Sequence, residues 1–225
     1  MTVATVTDLS ARLRRVTLTA DRFVDFARSG ADECFGLLVP GGDRTHLRWY
    51  TVRAHRPERG EIDVDFVLHD HRGPAVDWAR AARPGAVATF RQSGSAYLGQ
   101  AAPRGAQLLL ADETALPALS AIVATTPPGS TSIRALVELP DDSYAEPVEP
   151  AADDPVAGIA RLHRGDDPPG SRLLAAARQH GPVAGDGLGY AWVCGESAAV
   201  KAVRRHLVDA GMDRRRITFS GYWRH

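Results

Sequence analysis

Cysteine and methionine are scarce in this chain of 225 residues, which has two of each. Cys34 and Cys194 stand far apart without ligand-like spacing, so the sequence predicts neither a disulfide framework nor a thiolate metal site. No run approaches the roughly 20 apolar residues that a membrane-spanning helix needs. Residues 1–11 also lack the basic-then-apolar layout of a signal peptide. We therefore expect a cytoplasmic protein that does not cross a membrane.

Net charge is also absent, because 27 lysine and arginine residues balance 27 aspartate and glutamate residues. Such a chain lacks the global positive field that drives nonspecific binding to nucleic acid. Any attraction for an anionic partner must come from a local cluster of cations. With 44% hydrophobic and 24% charged residues, the composition excludes a disordered chain and fits one large or two small globular domains.

The first hundred residues read as short strands separated by turns. The clearest strand spans 61–69, where Ile62, Val64 and Phe66 alternate with aspartates at period two. A short helix over 75–82 follows Gly73-Pro74, since proline is favoured in a first helical turn. The other predicted strands span 12–18, 34–39, 47–52 and 86–90. Closely spaced strands with few helices are typical of an antiparallel β-barrel.

From Gln107 onward, apolar strands alternate with helices, which is typical of βαβ units around a parallel sheet. The predicted strands span 108–111, 133–138, 190–194 and 217–220. The predicted helices span 116–124, 173–178 and 196–208.

A shift in composition at 99–105 predicts a boundary between two domains, at 1–102 and 103–225. The segment 140–155 is rich in proline and acidic residues, so we expect a surface loop within the second domain.

The stretch Arg48-Trp49-Tyr50-Thr51-Val52-Arg53 lies on a predicted strand. Arg48 and Tyr50 share one face of that strand, which a purely amphipathic strand would not require. The forked guanidinium of an arginine suits a phosphate, and a tyrosine ring can lie along a flat heterocycle. A threonine hydroxyl or its backbone N–H can hydrogen-bond a ring nitrogen. The alternative interpretation is an edge strand with a surface arginine.

The strand that ends in Asp65-Phe66-Val67-Leu68-His69 leads into Gly73-Pro74 and a helix that contains Trp78. A glycine turn before a helix offers free backbone N–H groups and the positive end of a helix dipole, which suits a pyrophosphate. His69 and His71 form an i, i+2 pair without further ligands at useful spacing. We therefore predict no metal site here.

Polar residues follow the first strand of the second half, at Asp112-Glu113-Thr114. Ligands of open α/β sheets bind beyond the carboxyl ends of strands, so these residues are candidates. No G-x-G-x-x-G motif occurs, which argues against a standard Rossmann nucleotide site. Lys201, the only lysine, shares one helix face with Arg204 and Arg205, and this face either meets a 2′-phosphate or is merely solvated.

Four motifs, taken together and in this order, resemble the siderophore-interacting protein family of FAD-binding ferric-siderophore reductases. They are Arg48 to Arg53, Asp65 to His69 with Gly73-Pro74-Ala75 and Trp78, Asp112 to Ala118, and Gly195-Glu196 to Ser220-Gly221-Tyr222-Trp223-Arg224. The resemblance implies a ferredoxin-reductase-like fold: an antiparallel FAD-binding β-barrel followed by a parallel-sheet α/β domain for NADPH or NADH.

The same resemblance assigns residues to the cofactors. The FAD pyrophosphate and ring would be held by Arg48, Tyr50 and Thr51. The flavin would be lined by Asp65, Val67 and His69, with its phosphates and adenine side supported by Gly73, Ala75 and Trp78. Thr114 would approach the ring from the second domain. The NADPH phosphate would meet Lys201 and Arg204.

The implied reaction passes electrons from NAD(P)H to a ferric siderophore, because a flavin converts hydride transfer into single-electron transfer. The siderophore supplies the oxygen ligands of the iron, so no protein metal motif is needed. Cations near the exposed flavin edge would attract an anionic ferric complex, and the candidates are Arg91 and Arg224.

Three departures from the family weaken this substrate assignment. Gly36-Leu37 stands where a lysine-leucine pair is common, residues 91–95 differ from the usual glycine-proline turn, and the usual tail after Tyr-Trp-Arg is absent. Two alternatives therefore stay open. The chain is either a diverged flavoprotein acting on an organic biosynthetic intermediate, with flavin as redox centre or scaffold, or a non-catalytic siderophore- or flavin-binding protein.

Overall fold

The computed structural model describes residues 1–41, 44–70, 72–92, 94–99, 105–127, 132–144, 158–182 and 187–225. Tertiary contacts divide them into two compact units. The first unit comprises Met1–Ala96 together with Ser143 and Tyr144, and the second comprises the remaining described residues from Tyr97 onward. Residues 100–104, in the predicted boundary, lie outside the described residues.

Two antiparallel sheets form the first unit. The four-stranded sheet has the order β1 (Thr2–Asp8), β2 (Leu13–Thr19), β6 (Glu61–Val67) and β5 (Ala54–Arg56). The three-stranded sheet has the order β4 (Arg44–Thr51), β3 (Cys34–Gly41) and β7 (Thr89–Gln92). Helix α1 (Pro74–Ala81) follows β6 and packs on both sheets.

The core of the first unit lies between these sheets. Strand β6 contributes Ile62, Val64 and Phe66, each at most 1% exposed, and β3 contributes Phe35 and Leu37. The apolar residues that alternate with aspartates along β6 lie on the face of the strand that is turned to the core.

The second unit is a parallel sheet of five strands. Its order is β10 (Ala160–His163), β9 (Ile133–Leu139), β8 (Ala106–Asp112), β11 (Leu188–Glu196) and β12 (Ile217–Trp223). The helices are α2 (Leu116–Thr125), α3 (Ser171–His180) and α4 (Ser197–Asp209). This arrangement of antiparallel sheets followed by a parallel α/β sheet confirms the predicted fold class.

Helices α3 and α4 bury one apolar stripe each. Leu173 of α3 and Val203 and Leu207 of α4 are fully buried and pack with Leu110 and Val193 of the sheet. This is the i, i+3, i+4 pattern of an amphipathic helix on a sheet. Within the described part of the chain, even α4, at 13 residues, is too short to cross a membrane.

Strands β1, β5 and β10 were not predicted from the sequence. Strands β5 and β10 have only three and four residues, too few for a repeat to show. Strand β1 has a single buried residue, Val3, so it lacks the apolar alternation of a half-buried strand. The segment 140–155 also differs from expectation. Of its described residues, 140–142 belong to the second unit, as expected, but Ser143 and Tyr144 belong to the first. There the Ser143 carbonyl accepts hydrogen bonds from Ser10 Oγ at 2.6 Å and Arg12 N at 2.9 Å.

Candidate functional site

Strand β4 presents an arginine to solvent and a tyrosine to the aromatic core. Arg48 is exposed, and Arg48 Nη1 donates to the carbonyl of its neighbour Leu47 at 2.9 Å. Arg48 forms no ion pair with any other described residue, so its charge is available to an anion. Thr51, at the end of the strand, is buried and pairs with Cys34.

Three aromatic rings form a row beside Arg48. The centroid of Tyr50 lies 4.4 Å from that of Phe66, and Phe66 lies 5.6 Å from Trp78 of α1. Burial raises the pKa of the Tyr50 phenol, so this ring stays uncharged at neutral pH. The row offers partly buried aromatic surface to a flat ligand, as Tyr50 and Trp78 are both half-buried.

The first turn of α1 is open to an anion. Gly73 precedes the helix in an extended conformation and no side chain caps the helix. A Cβ at Gly73 would meet nothing within 4 Å. Pro74 has no N–H, so the orphan donors of this turn are the N–H groups of Ala75 and Val76. An uncapped helix start beside an unobstructed Gly73 suits a phosphate.

Asp65 and Val67 turn their side chains away from the core, opposite to Phe66. The Asp65 carboxylate accepts two hydrogen bonds from Arg15, at 2.7 and 2.8 Å, and lies 3.9 Å from Arg53. This carboxylate is therefore neutralised by two arginines of the first unit. The Asp65 carboxylate is thus not available as a free negative charge for a ligand.

The backbone of the same two residues faces the side of β6 that β5 leaves unpaired within the described part of the chain. Arg53 N donates to the Asp63 carbonyl at 2.9 Å, so the backbone groups of Asp63 point towards β5. Asp65 and Val67 point the same way, because backbone groups alternate sides along a strand. Strand β5 pairs with β6 only as far as Asp63. The flavin contacts of Asp65 and Val67 stay a prediction. In this geometry the two residues could contact a flavin through their backbone groups and not through their side chains.

His69 lies just beyond β6 and is half-buried. Its carbonyl accepts a hydrogen bond from Arg80 Nη2 of α1 at 2.6 Å, which ties the end of the strand to the helix. His71 lies outside the described residues. Within the described part of the chain, no group of three or more His, Cys, Asp or Glu side chains is placed to hold a metal ion.

These features fit FAD. An exposed arginine and an uncapped helix start suit the pyrophosphate, and the aromatic row suits a ring. Arg48, Tyr50 and Thr51 lie on β4, while Gly73, Ala75 and Trp78 belong to the start of α1. The aromatic row connects the two sets, as Phe66 of β6 contacts both Tyr50 and Trp78.

In the second unit, Asp112 joins the carboxyl ends of three strands. Its Oδ1 accepts from Thr114 N at 2.9 Å and Thr114 Oγ1 at 2.6 Å, and its Oδ2 accepts from Glu196 N at 2.7 Å and Trp223 Nε1 at 2.8 Å. Burial raises the pKa of Asp112, and its hydrogen bonds act against that rise. Three N–H donors and one hydroxyl converge on this carboxylate, which favours its ionised form.

Thr114, predicted to approach the flavin, is half-buried, and its orientation is fixed by Asp112. The next residue back, Glu113, is 5% exposed and pairs with Arg164, with Nη1 and Oε2 at 3.3 Å. Burial, followed by the negative charge of Asp112, raises the pKa of Glu113 to about 7. Sequence reasoning missed Arg164, because nothing local relates two residues that are 51 positions apart.

Two helix starts in the second unit are already occupied by carboxylates. Glu138 accepts from the N–H groups of Gly170, Arg172 and Leu173 at α3, at 2.7 to 3.1 Å. Glu196 accepts from the N–H groups of Ala198 and Ala199 at α4, at 2.6 and 2.8 Å. A phosphate at either start would compete with a buried carboxylate, which agrees with the missing glycine motif.

Lys201 and Arg204 line a cavity of about 300 Å³ between α4 and β12. Of the two predicted substrate cations, Arg91 is exposed on β7, opposite Gly36 and on the same sheet face as Trp49. Arg224 is exposed directly after β12. Arg91 belongs to the first unit and Arg224 to the second, and both remain predictions.

Residues 105–225 match the family model described as siderophore-interacting protein, and residues 38–96 match that of the siderophore-interacting FAD-binding domain. The chain belongs to the siderophore-interacting protein family, as its motifs predicted. The match to the FAD-binding domain makes it an FAD-binding protein at family level.

Solved structures confirm the predicted ferredoxin-reductase-like fold. The siderophore-interacting protein SipS from Aeromonas hydrophila has a TM-score of 0.81 at 28% identity, over 100% of this chain and 90% of that chain. A ferredoxin NADP⁺ reductase from Neisseria gonorrhoeae with bound FAD and NADP has a TM-score of 0.75 at 13% identity, over 99% of this chain and 97% of that chain. The second likeness concerns the fold alone.

Curated relatives include much longer proteins. The mycobactin import ATP-binding/permease protein IrtA of Mycobacterium tuberculosis is 33% identical over 189 residues, which are 82% of this chain and 21% of IrtA. The ferric vibriobactin reductase ViuB of Vibrio cholerae is 30% identical over 139 residues, which are 53% of this chain and 51% of ViuB. This chain thus spans about a fifth of the length of the first relative and half of the second.

Proposed function

We propose that this chain is a flavin-dependent reductase that passes electrons from NAD(P)H to a ferric siderophore. The observation that supports the proposal most is the flavin seat of the first unit, formed by Arg48, the row Tyr50-Phe66-Trp78 and the uncapped start of α1. A relative named as a ferric vibriobactin reductase supports the substrate class. The reaction would take place in the cytoplasm, where NAD(P)H is available.

The residues of the chain would bind and orient the reactants. When bound, FAD supplies the conversion between hydride transfer and single-electron transfer. Arg48 and the N–H groups of Ala75 and Val76 would hold its pyrophosphate, and the neutral Tyr50 would flank its ring. In the net reaction, one NAD(P)H gives two electrons to two ferric ions, and a proton is released.

Iron is a substrate in this proposal and needs no protein ligand. The siderophore supplies hard oxygen ligands, which hold ferrous iron less tightly than ferric iron. Arg91 and Arg224 would attract an anionic ferric complex, since both are exposed cations. Lys201 and Arg204 would bind the phosphate of NADPH, which makes NADPH the preferred donor over NADH.

The proposal is tested by visible spectra of the FAD-loaded chain under anaerobic conditions. We expect NADPH to bleach the flavin bands, and a ferric siderophore added with a ferrous-specific chelator to restore them as the ferrous complex appears. A bound flavin that stays oxidised throughout would overturn the reductase assignment.

A second function is favoured by the outer face of the three-stranded sheet. Gly36 allows the Trp49 ring to lie against the strand, since a Cβ there would come 3.2 Å from Trp49 Cζ3. Trp49 is 53% exposed, so this face offers an aromatic ring beside the cation Arg91. A diverged flavoprotein acting on an organic intermediate would use such a face, and its flavin would not be reoxidised by ferric siderophores.

A further inference from the structure

The cavity between α4 and β12 has the properties of a ligand site. Its volume of about 300 Å³ is at the lower end of the range for small-molecule pockets. It is lined by residues of α4, of the turn before β12 and of β12 itself: Lys201, Arg204, Arg205, Val208, Asp209, Arg214 and Phe219.

Positive charge dominates this cavity. Four cations line it against one carboxylate, Asp209. None of the four has an ion pair within 4 Å among the residues that the structure describes, although Arg215 nearby is paired with Asp213 at 2.8 Å. Unpaired cations that converge on a concave surface favour an anion.

Arg204 provides a second, independent observation. Its guanidinium lies over the ring of Phe219, with Cζ 4.5 Å from the ring centroid. Its Nε is buried and has no hydrogen-bond partner in the described part of the chain. Buried donors are normally satisfied, and exceptions often mark the position of a missing ligand or water.

Phe219 gives the cavity an aromatic wall. It belongs to the edge strand β12 and remains 45% exposed, although it is a large apolar residue. An arginine stacked on an exposed aromatic ring is a platform for a flat heterocycle. An aromatic wall and a cluster of cations within one small cavity can recognise the base and the phosphate of a nucleotide.

We propose that this cavity binds a nucleotide phosphate monoester, with its base against Phe219 and its phosphate among the four cations Lys201, Arg204, Arg205 and Arg214. Two sources share this chemistry. One is the 2′-phosphate end of NADPH, which rests on the proposed function, and the other is a separate nucleotide. Phe219 lies about 13 Å along β12 from Trp223 at the carboxyl end, at about 3.3 Å per residue, so the donor would have to reach down the sheet edge.

The test is calorimetric titration of the full chain with 2′-AMP, 5′-AMP, adenosine and inorganic phosphate. We expect at least one of the nucleotides to bind at least tenfold more tightly than adenosine or phosphate. Arg214→Ala should weaken that binding at least tenfold. Arg216→Ala removes an exposed arginine two residues away that does not line the cavity, and should leave it unchanged.

Two results would overturn the proposal. Equal affinity of wild type and Arg214→Ala for the nucleotides would show that the cavity is not the site. Phosphate binding as tight as nucleotide binding would show a simple anion site without recognition of a base. Phe219→Ala checks the second point separately, because it should weaken nucleotide binding several-fold and leave phosphate binding unchanged.

Competition by NADPH and NADH distinguishes the two sources. Displacement of 2′-AMP by NADPH alone, together with a raised KM for NADPH in Arg214→Ala, identifies the donor. Arg214-dependent binding with an unchanged KM identifies a separate nucleotide. If no pyridine nucleotide reduces the flavin but 2′-AMP still binds in an Arg214-dependent manner, the proposed function fails and the cavity assignment stands.

Discussion

At the residue scale, Arg48 is the side chain that we propose to hold the flavin most directly. It is exposed, its hydrogen bond within the described part of the chain goes to a neighbouring carbonyl, and it lies on the strand that also bears Tyr50. Charge-assisted hydrogen bonds to a phosphate are stronger than neutral ones, and each contributes about 1.5–3 kcal/mol. Loss of this one group should therefore be visible in the cofactor content.

We predict that Arg48→Ala weakens FAD binding roughly tenfold or more, and that the variant loses its yellow colour on purification. The measurement is the FAD-to-protein absorbance ratio, followed by a fluorescence titration with FAD. Arg44→Ala is the control, because Arg44 is an exposed arginine on the same strand face. Full FAD retention in Arg48→Ala would remove Arg48 from the site.

Glu113 gives a prediction about pH and stability. Its pKa is raised to about 7 in the folded chain by burial and by Asp112, whereas an unfolded glutamate titrates near pH 4.3. The folded chain therefore binds this proton more tightly between these two values. Its contribution to stability is complete below the unfolded pKa and is lost as the pH rises through about 7.

We predict that Glu113→Gln flattens the fall in the free energy of unfolding between about pH 4.5 and pH 7. Urea unfolding at several pH values measures this, with the exposed Glu58→Gln as the control. A pH dependence identical to that of the wild type would mean that Glu113 does not titrate as described.

At the element scale, the carboxyl ends of β8, β11 and β12 depend on one another through Asp112. Gly195 has φ +147°, and a Cβ there would lie 2.5 Å from Asp112 Oδ2. That oxygen cannot move without losing its bonds to Glu196 and Trp223. A side chain at position 195 would therefore separate the strand ends.

We predict that Gly195→Ala destabilises the chain by about 2–4 kcal/mol. Gly211→Ala is the matched control, because Gly211 has φ +98° but open space around its Cβ position, so it suffers backbone strain alone. That strain costs roughly 1 kcal/mol. Equal losses for the two variants in urea unfolding would show that the contact with Asp112 is unimportant.

Elements with strong periodicity were predictable from the sequence. The alternation in 61–69 gave β6, and the alternation of apolar strands and helices after Gln107 gave β8, β9, β11, β12 and all three helices of the second unit. Strand β5, only three residues long, gave no such signal because too few residues repeat.

Candidate site residues that are close in sequence could be proposed from the sequence itself. Arg48 with Tyr50, and Lys201 with Arg204, remain predictions that were proposed from their spacing. Phe219 and Arg214 were not, because only the packing of α4 against β12 brings them to the cavity. The ion pair Glu113–Arg164 and the cap of α3 by Glu138 likewise depend on tertiary structure. The cap of α4 by Glu196 depends on a backbone geometry that no local pattern encodes.

At the scale of the whole molecule, zero net charge means that attraction for an anionic substrate is local. Arg91 is such a local cation, and its interaction with an exposed ligand is screened over about 8 Å at physiological ionic strength. The effect of removing it should therefore depend on salt.

We predict that Arg91→Ala raises the Kd for a redox-inert gallium(III) siderophore several-fold at low salt, and that 0.5 M salt largely abolishes the difference. Arg83→Ala, also an exposed arginine of the first unit, should behave as wild type. A salt-independent loss would indicate that Arg91 acts through packing, and no loss would exclude it from the substrate site.

The most direct measurement of the central claim is an electron count. The FAD-loaded chain is reduced without oxygen, freed of excess reductant and mixed with a ferric siderophore and a ferrous-specific chelator. We predict full return of the oxidised flavin spectrum with two trapped ferrous ions per FAD, because reduced FAD holds two electrons and each ferric ion takes one. A flavin that stays reduced, with no ferrous ion trapped, would contradict the assignment of this chain as a ferric siderophore reductase.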